Sequence, residues 1–134
     1  MEQAFAVSKA FFDLPDADKS EVAVDTHQRG WMAQGMSRLQ GSKTHDLKEV
    51  FFWGTETTAD DVDVLAGKPL CALNQWPTDF PRLHTDLTPY YDAVCHVARR
   101  VMAAIAVSLV RPAAFFDAAY AKPPARGQLV YYPT

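Results

Sequence analysis

Lys48-Glu49-Val50-Phe51-Phe52-Trp53 sets four bulky apolar residues in a row behind two charges. A strand sends successive side chains to opposite faces, so this run is apolar on both. The stretch therefore reads as a strand over 48–53 that other parts of the chain cover on both sides. Upstream, residues 25–45 carry Gly30, Gly35 and Gly41 and show little periodicity, which predicts a loop region. Downstream, Thr55 to Ala72 is mixed and acidic and reads as a surface connection.

Further out the pattern turns helical. Ala4, Val7, Ala10 and Phe11 mark one face of a helix over 3–12, widened by Phe5 and Phe12. Leu14-Pro15 ends it, because the residue before proline avoids helical dihedrals. Pro15 then suits the first turn of a short second helix, with Asp16 and Asp18 at its positive end. The longest predicted helix runs from Pro89 to Leu109, with Thr88 as cap and Pro89 at the first helical position. Leu87, Tyr91, Val94, Ala98, Val101, Ile105 and Leu109 form its apolar stripe, while Arg99 and Arg100 face away. Arg111-Pro112 stops this helix. A turn at 112–120, a linker at 122–126 and a strand at 128–132 complete the chain. No repeat or low-complexity segment occurs.

With 134 residues the chain suffices for one domain and not for two. Its 49% hydrophobic and 22% charged residues mark a globular protein. A net charge of −3 gives no basis for binding nucleic acid or an anionic membrane. The apolar run from Val101 to Val110 is too short to span a bilayer. The N-terminus lacks the layout of a signal peptide. Cys71 and Cys95 have no metal-type spacing and read as reduced thiols of a cytoplasmic protein.

Few residues look chemical by themselves. His84-Thr85-Asp86 has the His-x-Asp spacing of a facial iron triad. That site needs a further histidine from another element, and after Asp86 the chain offers only His96, inside the long helix. The segment reads better as a loop leading into that helix, with Asp86 facing its N-terminus. His27, His45, His84 and His96 form no ligand cluster by spacing. Ser8, Ser20, Ser37, Ser42 and Ser108 lack a nucleophile context, and no phosphate-binding glycine loop occurs.

A series of short motifs is more specific. Phe11-Phe12-Asp13-Leu14-Pro15 runs toward Lys19. Arg29-Gly30-Trp31, Asp46-Leu47-Lys48-Glu49, Gly54-Thr55-Glu56, Asn74-Gln75-Trp76-Pro77, Tyr90-Tyr91 and Tyr131-Tyr132-Pro133 follow in order. This order resembles the front half of an iron(II)/2-oxoglutarate-dependent oxygenase of the isopenicillin N synthase-like group. The resemblance implies a mainly α fold with one or two strands. It would be the N-terminal part of an α+β double-stranded β-helix, or jelly-roll, oxygenase, with residues 1–134 a single partial domain.

The implied parent activity is oxidation of a small organic molecule, with Fe(II) and 2-oxoglutarate as cofactors. The iron ligands of the family come after the Tyr-Pro pair, so none is assigned here, and the chain alone is expected to bind neither cofactor. By position, Tyr132 would reach a carboxylate of 2-oxoglutarate, although Val130 stands where the family often has asparagine. Arg29 could pair with a substrate carboxylate or simply be solvated. Trp31 could wall the substrate pocket or pack in the core. The other motifs read as scaffold. An alternative from another class is a non-catalytic helical binding or assembly module. The wide apolar face of the long helix and the edge of the terminal strand predict a homo-oligomer.

Overall fold

The computed structural model describes every residue except Leu39, Ser42 and Thr134. Ser42, one of the serines set aside above, and the terminal Thr134 lie outside the described residues. Among the described residues four α-helices, α1 Glu2–Phe12, α2 Asp16–Lys19, α3 Val62–Leu65 and α4 Arg82–Ser108, and a 3-10 turn at Ser20–Val22 accompany three strands, β1 Gly30–Met32, β2 Glu49–Gly54 and β3 Arg126–Tyr131. The strands form one antiparallel sheet in the order β1-β2-β3.

The apolar run predicted as a covered strand is the middle strand. Trp31, Phe51 and Leu129 lie opposite one another across the sheet and so share a face. Helices α1 and α4 pack together against that face. The Phe11 ring meets Phe51 edge-on at 5.1 Å, Phe12 stacks on Tyr131 at 5.1 Å, and Tyr91 meets Trp53 at 6.2 Å. Leu83 and Leu87 bring the start of α4 into the same cluster. On the other face Val50 is buried, and Phe52 is half-buried with the Arg126 guanidinium 5.2 Å from its ring.

Three expectations need correction. The described residues form three strands, not one or two: β1 lies in the stretch predicted as loop. With only three residues it is too short to show alternation, and its pairing with β2 is set by distant residues. Second, α4 begins at Arg82, not at Pro89. Leu83 extends the buried stripe one turn before Leu87, and Pro89 sits inside the helix, where it lacks the N–H that would reach the Thr85 carbonyl. Tertiary burial outweighs that missing bond. Third, the apolar stripe is buried only at its start. Val94, Val101, Ile105 and Leu109 are exposed.

Candidate functional site

The motifs converge on the sheet. Lys19 reaches from the end of α2 into the interior and is 2% exposed. Its Nζ lies 2.7 Å from Glu49 Oε2 and 3.0 Å from Asp16 Oδ1, and it donates to the Phe12 carbonyl at 3.2 Å. Glu49 Oε2 also accepts the Trp31 indole N–H at 2.8 Å, and Lys19 lies 4.9 Å from the centre of that indole. Burial opposes the Lys19 charge, but hydrogen bonds and attraction to Glu49 and Asp16 outweigh it and hold its pKa above the usual lysine value. Three motifs far apart in sequence thus meet around one buried ion pair. Trp31, a candidate substrate wall, is 5% exposed and belongs to the core cluster.

Arg29 sits at the other end of β2. It is 2% exposed, so the solvated alternative is overturned. Nη2 donates to the Leu70 carbonyl at 2.7 Å, and Nη1 to the carbonyls of His27 and Gln28 at 3.3 Å each. Nε is buried without a hydrogen-bond partner. The guanidinium lies against Gly54, where a Cβ would come within 2.4 Å of Nη2. Burial pushes its pKa down, Asp25 opposes that shift, and nearby Arg126 adds to it. The group remains a cation, since arginine does not deprotonate in proteins. Among the described residues no carboxylate pairs with it directly; backbone carbonyls alone hold it.

The surrounding motif residues lock this corner. Gly30 has φ +103°, and a Cβ there would meet the Val22 carbonyl at 2.2 Å, so only glycine lets β1 begin beside Arg29. The Asn74 amide pairs both ways with the Gly54 backbone, at 2.7 and 2.9 Å. Gln75 donates to the Arg29 carbonyl at 2.8 Å, and the Trp76 indole to Glu56 at 2.9 Å. The family resemblance implies a scaffold role for the Asn74-Gln75-Trp76 motif; that it braces the Arg29 corner follows only from the fold.

Arg29 also lines a cleft of about 600 Å³, together with Thr55, Asp61, Lys68, Leu70 and Lys122. Asp61, Asp63 and Lys122 belong to no motif, and nothing in sequence pairs positions 61 and 122. Lys122 Nζ stands 2.6 Å from Asp61 and 2.8 Å from Asp63. Its hydrogen bond pulls the Asp61 pKa down to about 2.

Tyr132 follows the last residue of β3 and is 66% exposed. Arg126 at the start of β3 pairs with Gly54, and Tyr131 at its end pairs with Glu49. Arg29 and Tyr132 therefore lie at opposite ends of the sheet, separated by about 20 Å of strand. The structure does not bring the three predicted site residues together.

The residues present do not fit an iron centre. His84 and Asp86 stand inside α4 rather than in a loop leading into it. His84 stacks on Trp76 at 4.7 Å with its Nε2 3.3 Å from Glu56, while Asp86 pairs with Arg82 at 3.2 Å and accepts from Gln3 at 2.8 Å. Among the described residues no group of three or more His, Cys, Asp or Glu side chains could hold a metal ion. No described helix is long and apolar enough to cross a membrane.

Comparison with known proteins fits this architecture. Residues 1–79 match the family described as non-haem dioxygenase in morphine synthesis N-terminal, and the chain belongs to that family. It is 34% identical over 116 residues to the 2-oxoglutarate-dependent dioxygenase traH of Penicillium crustosum, covering 81% of this chain and 34% of that protein. A protein of the 2OG-Fe(II) oxygenase family from Caulobacter crescentus superposes with a TM-score of 0.84 at 27% identity, over 98% of this chain and 42% of that one. The full-length Neurospora crassa protein solved with alpha-KG and thymine gives 0.76 at 26% identity, over 98% and 41%. The chain spans about a third of the length of the curated relatives it matches. It corresponds to the N-terminal part of these 2-oxoglutarate-dependent oxygenases.

Proposed function

We propose that this chain is the N-terminal portion of a 2-oxoglutarate/Fe(II)-dependent oxygenase that oxidises a small organic molecule, and that it is inactive alone. The observation that carries the reading is the ordered motif set folded around Lys19–Glu49–Trp31 and Arg29–Gly54. In the longer protein this reading requires, the sheet would continue into the jelly roll. Bound Fe(II) and 2-oxoglutarate would supply oxygen activation there.

What this chain offers that protein is placement. Tyr132, at the end of a paired strand, would donate its phenol hydrogen bond to a carboxylate of 2-oxoglutarate. Arg29 would act on substrate from the wall of its cleft, and Trp31 through the wall it supports rather than by its buried ring. In the longer protein, Tyr132→Phe is expected to raise the Michaelis constant for 2-oxoglutarate about tenfold to a hundredfold, as losing a hydrogen bond to a charged group does. Iron affinity should not change. An unchanged constant removes Tyr132 from the site. Arg29→Ala should raise the substrate constant and spare uncoupled 2-oxoglutarate turnover; equal loss of both assigns Arg29 to folding.

The assembly reading has its own observation, the exposed apolar side chains along the far half of α4. A second copy covering them would make the isolated chain a dimer. Sedimentation at micromolar concentration tests this, and a stable monomer rejects it.

A further inference from the structure

Segment 57–69 forms one wall of the Arg29 cleft, and none of its residues is fully buried. Its helix α3 buries no residue, and Val62 and Leu65 are exposed. Its backbone bonds stay local, as in Leu65 N–H to Asp61, Ala66 N–H to Val62 and Lys68 N–H to Asp63. Asp61 caps α3 by accepting from the Asp63 N–H, and Lys68 pairs with Asp63 inside the segment. Among the described residues, the hydrogen bonds and ion pairs reaching from 57–69 to distant parts of the chain all come from Lys122. That lysine begins the 122–125 stretch before β3, which forms another wall of the cleft beside Arg29.

We propose that residues 57–69 form a flap over the Arg29 cleft and that Lys122, bridging Asp61 and Asp63, is its latch. A flap whose apolar side chains are exposed, or at most half-buried as Val64 is, gives up little hydrophobic burial when it lifts. Its closed population then rests on ionic contacts, which are weak at a surface and screened by salt. The flap's two ends are held more firmly, Thr55 N–H by the Ala125 carbonyl and the Leu70 carbonyl by Arg29. Lifting would bare the Arg29 wall while those ends stay in place.

Cys71 lines the cleft and is partly buried, so its thiol reports opening. In a Cys95→Ser background, the rate of Cys71 labelling by a bulky maleimide is compared between about 20 mM and about 500 mM salt. The rate is expected to rise about threefold to tenfold with salt, the scale of losing two surface ion pairs. Lys122→Met should label at the fast rate at low salt and lose the salt dependence, and Asp61→Asn with Asp63→Asn should match it. Amide exchange in β2 should stay unchanged throughout. Salt-independent labelling in the parent overturns the proposal, as does a Lys122→Met chain that labels no faster. The parent's salt dependence needs no latch variant, so a variant that fails to fold leaves the test intact.

Discussion

The two halves of α4 carry the same apolar stripe and meet different fates. At its start, Leu83 and Leu87 are fully buried against α1 and the sheet. Further along, Val94, Val97, Val101 and Ile105 continue the pattern in the open. Periodicity states which side of a helix is apolar; it does not state what covers it. Burial follows where partners exist, and here the partners are the aromatic residues of α1 and β2.

That contrast can be broken first at its packed end. Phe11→Ala removes a fully buried ring from the core and should cost about 3–5 kcal/mol in urea unfolding. Ile105→Ala, on the exposed continuation, should cost within about 0.5 kcal/mol. Equal losses would mean that the far half of the helix is buried in solution, by a second copy or otherwise.

The ion pair beneath the sheet should come next in size. Lys19→Met leaves Glu49 buried with only the Trp31 N–H and should destabilise by about 3 kcal/mol. The pair also gives the packed half an alkaline signature. The folded-state pKa of Lys19 lies above the ordinary 10.5. Its contribution is therefore complete below pH 10.5 and is lost as pH rises through the higher folded value. Urea midpoints measured from neutral to alkaline pH should fall in that window, and less steeply in Lys19→Met. An identical slope would show that the pair is solvated.

A smaller effect is expected at the edge strand. Gly30→Ala places a Cβ against the Val22 carbonyl at a positive φ and should cost about 1–3 kcal/mol. Gly35→Ala, where nothing lies within 4 Å of the added carbon, should show only the backbone part of that cost. A Gly30 cost no larger than that of Gly35 would mean that β1 is not held against the 20–23 turn.

The packed half was largely legible in the sequence. The run from Val50 to Trp53 announced a covered strand, and the 3–12 periodicity announced α1, because both patterns are local. Pro89 misplaced the start of α4, since its usual role at a helix N-terminus left Leu87 outside the helix and hid the buried Leu83 upstream. Strand β1 escaped because three residues carry no period. The site was less legible. Arg29 and Trp31 stood out through the family resemblance, but their burial follows from Glu49, Gly54 and Leu70, which lie far along the chain. The distance between Arg29 and Tyr132 was invisible before the register of β3 on β2 was known. Lys122 and its aspartates carry no sequence signature, because surface charges are common and only folding brings these together.

This chain carries the scaffold motifs of its oxygenase family, and among the described residues no side-chain group could hold the iron. Anaerobic calorimetry with Fe(II) on the chain is the decisive experiment. No stoichiometric site of micromolar or tighter affinity is expected, with or without 2-oxoglutarate, and His84→Ala should change nothing. A one-to-one micromolar site that disappears in His84→Ala would contradict the claim and return His84 and Asp86 to the metal.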